Sequence, residues 1–193
     1  MCPELVKEDT IVYSFGIGED ITFDLAVIEK FDSKVFGFDP TPKSINWIAT
    51  QKTPTNFTFY DYGIDKFTAK VHFHLPKNPN NVSGSIISHA NVNSTDTIEV
   101  QMKSFKDITN ELGHTKIDIL KMDIEGAEYA VLEDILNSGI QIKQLLIEFH
   151  DRFVSKGRSK TINAIKQLRS NGFEIVAVSD SLEEISFVNS KYI

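Results

Sequence analysis

Short apolar runs alternate with stretches of helical spacing along most of this chain, the pattern of a parallel sheet wrapped by helices. Residues 11–15 form an apolar run that ends at Gly16-Ile17-Gly18, and Phe23, Ala26, Val27 and Phe31 then recur at helical spacing over 22–31. A second strand over 35–38 closes at Asp39-Pro40. Pro42 opens the next helix, where its missing N–H costs nothing, with Ile45, Ile48 and Ala49 on the buried side. Residues 57–62 read as a third strand ending at Gly63, and 117–122 and 145–149 as two more central strands. Ile162, Ile165 and Leu168 mark a helix stopped by Asn171-Gly172. Residues 173–178 and 185–188, separated by a Ser-Asp-Ser-Leu turn, read as a closing antiparallel hairpin.

The rhythm breaks between Thr68 and Met102. Residues 69–75 alternate like a strand, with Val71, Phe73 and Leu75 on one face and His72 and His74 on the other, facing solvent. The stretch from Pro76 to Thr97 is rich in Asn, Ser and Pro and shows little periodicity. Loops of that length inside a compact domain are uncommon and often carry function. With no internal repeat and no second core, 1–193 reads as a single domain carrying a substrate or lid insertion at 76–97. Ser85, Ser88 and His89 are its candidate acceptor contacts.

At 193 residues the chain is long enough to bury a sizeable core. Its net charge of −7 leaves no basic surplus to displace counterions, so no nucleic-acid partner is expected. No apolar run approaches the ~20 residues of a membrane span, and there is no signal-peptide apolar region. Cys2 is the only cysteine, which excludes an internal disulfide and a cysteine zinc cluster. A cytoplasmic protein is the expectation, so the sequons at Asn56, Asn81 and Asn93 carry no weight.

The glycine loop changes the picture. Gly16-Ile17-Gly18 lies between a strand and a helix, with Asp39 following about 20 residues later at the end of the next strand. That is a nucleotide-binding half-fold in which the acid holds ribose hydroxyls. The third glycine of the dinucleotide fingerprint is replaced by Ile21, and Glu19 and Asp20 occupy the turn where a pyrophosphate would rest. Two carboxylates there repel a diphosphate. They suit an adenosine-bearing ligand with positive charge and no phosphate, and S-adenosylmethionine fits that description. The bland alternatives are a bare tight turn at the glycines, helix capping by Asp20 or Thr22, and turn chemistry at Asp39-Pro40.

The densest chemistry falls in Lys121-Met122-Asp123-Ile124-Glu125-Gly126-Ala127-Glu128, where an apolar strand passes into a helix. Ligands in open parallel sheets sit beyond the carboxyl ends of the strands. Helix capping accounts for part of this run: Asp123 as N-cap, with Glu125 and Glu128 in the first turn. Glu148 and His150 end the neighbouring strand, so the two strand ends converge. His150, with an ordinary pKa of about 6.5, is the first choice of general base, against the alternative of a packed strand-end histidine. Asp123 and Glu125 are candidates for acceptor or cofactor contact, Lys121 for pairing with a neighbouring acid, and Glu148 for a buried pair. Trp47 either flanks an adenine or packs. Arg152, Arg158 and Lys160 would suit an anionic acceptor or be ordinary exposed bases. The histidines show no metal-ligand spacing. A Mg²⁺ ion needs only one or two carboxylates, but nothing in the sequence demands one.

Three segments carry a resemblance. Tyr13-Ser14-Phe15-Gly16-Ile17-Gly18-Glu19-Asp20, Phe36-Gly37-Phe38-Asp39-Pro40-Thr41-Pro42 and Lys121 to Glu128 resemble the FkbM family of S-adenosylmethionine-dependent methyltransferases, and Leu146-Ile147-Glu148-Phe149-His150 is similar to its strand-five signature. The matches span roughly residues 11–190. The resemblance implies an α/β, Rossmann-like class I methyltransferase: a three-layer sandwich whose seven-stranded, mostly parallel sheet runs 3-2-1-4-5-7-6 and ends in an antiparallel hairpin. It further implies O-methylation of a hydroxyl on a sugar, glycan or natural product. The cofactor contacts would be Phe15, Gly16, Gly18, Glu19, Asp20, Asp39, Pro40, Asp61, Gly63 and Asp123, with His150, Asp123 and Glu125 catalytic. Many class I methyltransferases carry an acid where this chain has Ser14, and Glu19 or Asp20 would take over its contact. A catalytically silent adenosyl-binding module is the alternative from another class, and an NAD-dependent oxidoreductase is the weaker enzymatic one.

Overall fold

The computed structural model describes residues 1–76 and 92–193. The central strands, in chain order, are β1 (Ile11–Phe15), β2 (Lys34–Phe38) and β3 (Phe57–Tyr60). A two-residue β4 (Gly63–Ile64), β5 (Ala69–Pro76) and β6 (Val92–Lys103) follow. The chain then returns to the main sheet with β7 (Lys116–Met122), β8 (Gln141–Glu148), β9 (Phe173–Val178) and β10 (Glu184–Asn189). The seven-stranded sheet has the order β3-β2-β1-β7-β8-β10-β9. Its first five strands pair in parallel, and β10 runs antiparallel to both β8 and β9. Counted within this sheet, that is the 3-2-1-4-5-7-6 order of the class I methyltransferase fold, closed by the expected hairpin.

Helices α1 (Thr22–Phe31) and α2 (Pro42–Ile48) pack on one face, and α3 (Phe105–Leu112), α4 (Glu128–Asn137) and α5 (Gly157–Ser170) on the other. Strand alternation divides the core between them. Val12, Val35 and Ile119 meet Val27 and Ile28 of α1, while Tyr13, Phe38, Leu120 and Met122 meet Phe105, Ile108, Val131 and Leu132. Both faces of β7 are covered, so its residues from Ile117 to Leu120 are all buried, Asp118 included. Tyr13, Phe15, Phe38, Tyr60 and Tyr62 form a chain of ring contacts on the α3 side. The helix starts follow local chemistry: Thr41 caps α2 with Pro42 in its first turn, and Ser104 caps α3 through the Asp107 N–H.

The interrupted region differs from its sequence reading. β5 pairs with β6 antiparallel and β6 with β4 in parallel, forming a second, three-stranded sheet with its own small cluster of Phe73, Val100 and Met102. Sequence pattern alone assigns no element to 98–112, because β6 finds its partner across a long sequence separation and α3 is only eight residues long. His72 is exposed as expected, but His74 is half-buried. Of the proposed lid segment 76–97, residues 77–91, with Ser85, Ser88 and His89, lie outside the described residues, and 92–97 belong to β6. Among the described residues no helix is long and apolar enough to cross a membrane.

The β7 core makes a direct stability prediction. Leu120 is fully buried, so Leu120→Ala is expected to lower unfolding free energy by about 2–5 kcal/mol in urea titrations. Phe67→Ala, at a side chain 75% exposed, should stay within about 0.5 kcal/mol of the parent.

Candidate functional site

The site begins where β1 and β7 run side by side to their carboxyl ends. Gly16 donates its N–H to the Phe38 carbonyl (2.9 Å), and Asp123 donates its own to the Phe15 carbonyl (3.1 Å). Gly16 has φ +78°, and a Cβ placed on it would lie 1.7 Å from the Asp123 carbonyl oxygen. Only glycine fits. Gly18, at φ +54°, continues the turn and donates its N–H to Asp39 Oδ2 (2.9 Å). Asp39 Oδ1 accepts from the Thr41 N–H (2.9 Å) and hydroxyl (2.6 Å). The acid ending β2 is therefore buried and ties the glycine loop to the start of α2. Three acceptor positions are used, which leaves about one of the four lone-pair directions of a carboxylate for a ligand.

These strand ends enclose a cleft of about 250 Å³. Phe15, Gly16, Gly18, Glu19, Asp20, Asp39, Pro40, Gly63, Asp123 and Glu125 all line it. Asp61 does not: it is exposed and lines a separate groove beside Ile45 and Phe59. Trp47 packs against the α1–α2 core and lies away from the cleft. Ser14 is buried beneath the loop near Asp24, whose carboxyl is pushed up to about 6 by burial, against the pull of Lys121. Glu19 and Asp20 form the acidic side of the cleft. Asp20 also accepts the Thr22 N–H (2.8 Å), which holds its carboxyl below the usual range, and Glu19 sits 3.3 Å from Lys43. The opposite wall is apolar: Ile64, Phe73 and Met102 come from the second sheet.

The acidic run after β7 is a loop where the sequence suggested a helix start. α4 begins at Glu128, five residues beyond Asp123, because Glu125 (φ +55°) and Gly126 (φ +99°) both adopt left-handed backbone. A non-glycine residue in that region costs roughly 1–2 kcal/mol, so something must hold the turn. Glu128 does. It is 1% exposed, and its Oε1 accepts the N–H groups of Ile124 (3.2 Å) and Gly126 (3.1 Å) and meets His150 Nδ1 at 2.9 Å. Sequence pattern missed this role because an acid in a first helical turn looks like an ordinary partner of the helix dipole.

His150 is equally buried, stacked on the Phe153 ring (5.3 Å between centroids, 16° between planes). With Nδ1 on Glu128, its Nε2 faces Asp123 (3.6 Å), Glu125 (3.6 Å) and Glu148 (3.4 Å). Burial opposes charge on the ring, yet the contacts with Glu128 and Glu148 and the charges of Glu128 and Glu125 prevail and push its pKa up to about 10. Burial pushes Asp123 up to about 6, with Lys121 pulling the other way, and the His150 contact holds Glu148 below the usual range. Lys121 forms no ion pair within 4.0 Å among the described residues. Arg152 is bound to Glu183, while Arg158 and Lys160 are exposed on α5.

Cleft, acidic wall and histidine cluster occupy the carboxyl edge of β1, β2, β7 and β8. Against known proteins, the Methyltransferase FkbM domain matches residues 3–175. The chain belongs to the FkbM methyltransferase family. Among curated proteins it is similar to probable methyltransferase-like protein 24 of Homo sapiens, 29% identical over 141 residues, covering 72% of this chain. The match takes in 32% of that relative, so the chain spans about a third of its length. Among solved structures it is similar to a fibrillarin pre-rRNA processing protein from Methanococcus jannaschii (TM-score 0.54, 12% identity, 96% of this chain and 68% of that one). It is also similar to a putative S-adenosylmethionine-dependent methyltransferase from Listeria monocytogenes (TM-score 0.50, 11% identity, 98% and 94%). At these identities the structural likeness speaks for the fold, which is that of class I methyltransferases.

The loop geometry yields a prediction at Asp39. Asp39→Asn replaces one of two accepting oxygens with a donor, setting it against an N–H group. Loss of about 1–3 kcal/mol in unfolding free energy is expected. An unchanged denaturation midpoint would mean that this carboxylate does not hold the loop.

Proposed function

We propose that this chain binds S-adenosylmethionine in the cleft and transfers its methyl group to a hydroxyl oxygen of a sugar, glycan or natural-product acceptor. The observation that carries this reading is Asp123. Its carboxylate is part of the cleft wall and also of the His150 cluster, so donor and acceptor chemistry share one boundary. Glu19 and Asp20 in the cleft lining favour a sulfonium and an ammonium over a pyrophosphate, which argues against a dinucleotide. Asp39 keeps one acceptor direction for a ribose hydroxyl.

Methyl transfer is an in-line displacement: the acceptor oxygen bonds to the methyl carbon as the carbon–sulfur bond breaks, and the sulfonium becomes a neutral thioether. The protein's task is to align the two and to take one proton from the hydroxyl. The geometry favours Asp123 over His150 for that proton. The Asp123 side chain is 35% exposed at the cleft, whereas His150 is 2% exposed behind it. His150 then acts as a positioning residue that orients Asp123, Glu125 and Glu148.

The test is a methyl-transfer assay with labelled S-adenosylmethionine against a panel of sugars and hydroxylated metabolites, with and without divalent cations. Labelled product is expected on a hydroxyl-bearing acceptor. Asp123→Asn should lower turnover by about 10²–10⁴-fold, the usual contribution of a general base. Normal turnover by that variant removes Asp123 from the role, and transfer only to nitrogen or carbon acceptors contradicts O-methylation.

A further inference from the structure

We propose that Asp123, Glu148 and His150 form a binding site for one divalent transition-metal ion of the Mn²⁺ type. One ligating atom from each residue, the imidazole Nε2 and one oxygen of each carboxylate, lies within 4.8 Å of the others. Clustered acids alone would not make a site. The buried imidazole sets this group apart from surface acids, because its outward nitrogen is aimed into the cluster and its inward nitrogen is committed. Glu128 Oε1 lies 2.9 Å from Nδ1 and fixes the ring, leaving Nε2 to face the carboxylates. This carboxylate–histidine pairing is the outer-shell arrangement that orients histidine ligands on metals.

The spacing is longer than a short charge-assisted hydrogen bond. Nε2 is 3.4 Å from Glu148 Oε1 and 3.6 Å from Asp123 Oδ1. A charge-assisted N–H···O⁻ bond is shorter, at about 2.7–2.9 Å. Three ligand atoms within 4.8 Å of one another, two of these pairs at 3.4–3.6 Å, leave room for an ion between them. The ligand set also selects the ion class. Mg²⁺ takes oxygen ligands, whereas one imidazole with two carboxylates suits a first-row transition ion. Charge points the same way: Asp123, Glu125, Glu128 and Glu148 gather around a single imidazole.

The site lies beside the cleft and shares Asp123 with it. Its consequence for chemistry rests on the methyl-transfer reading: an ion there would bind the acceptor hydroxyl oxygen and lower its pKa. The hydroxyl proton would pass to Glu125 or to the second oxygen of Asp123 as the oxygen takes the methyl group. Ion binding itself does not depend on that reading.

Metal-free protein without any adenosyl ligand is titrated with Mn²⁺ and followed by electron paramagnetic resonance, with ¹⁴N modulation reporting an imidazole on the ion. One Mn²⁺ per chain with nitrogen modulation is expected, and at least tenfold weaker Mg²⁺ competition. His150→Gln should abolish the modulation and weaken binding at least tenfold. Glu128→Gln should weaken it about 10–100-fold, as loss of an outer-shell partner does. Where His150→Gln fails to fold by circular dichroism, Glu148→Gln carries the same binding prediction, its side chain being 25% exposed. Absence of saturable Mn²⁺ binding, bound Mn²⁺ without nitrogen modulation, or unchanged affinity in these variants overturns the site. S-adenosylhomocysteine calorimetry on the same metal-free sample tests the cofactor reading separately, so the two can fail independently.

Discussion

The carboxyl ends of β1 and β7 approach so closely that no side chain fits between them at Gly16. Everything at the candidate site depends on this contact. It forces the chain to turn with positive φ at Gly16 and Gly18, which aims the Gly18 N–H at Asp39 and opens a cleft over the strand ends. It also fixes the backbone of Asp123, whose N–H is held by Phe15 and whose carbonyl packs on Gly16. One backbone constraint therefore positions both the floor of the cleft and the carboxylate that borders it. The fully buried strands behind it supply the rigidity.

A second constraint sits one layer deeper. Glu128 holds a turn that contains a left-handed Glu125, and the same oxygen fixes His150. Loop shape and ring orientation are thereby coupled: any change that moves the turn also moves the imidazole. The cost of burying Glu128 and His150 is offset by their mutual contact, and truncating one partner would leave the other buried and charged. Such a unit is costly to assemble, and in return it holds the loop and the ring in one arrangement.

The sequence was legible where information is local. Alternating apolar runs give the order of strands and helices, Thr41-Pro42 announces the start of α2, and the glycine pair with Asp39 marks the binding edge. The FkbM-like segments give the strand order, which the sheet reproduces. What stayed hidden depends on long-range contact. The strand holding Phe73 is legible over 69–75, but β6 pairs with it across a long separation, so Met102 and the apolar cleft wall the two strands build have no local signal. Nothing in the sequence distinguishes Glu128 from a dipole-stabilising acid until His150 arrives from β8. The burial of His150 among four carboxylates, which turns an expected neutral-pH base into a strongly basic ring, is likewise a property of the fold. Asp61 fell on the wrong side of β3's end because a strand reading over 57–62 does not show that the chain leaves the sheet after Tyr60.

The central claim is that the edge of β1, β2 and β7 receives an adenosyl sulfonium. Isothermal titration with S-adenosylmethionine, S-adenosylhomocysteine and NAD tests it most directly. One adenosyl ligand per chain is predicted, with NAD not binding, because Glu19 and Asp20 line the turn where its pyrophosphate would sit. Saturable NAD binding with neither adenosyl ligand bound would contradict the account.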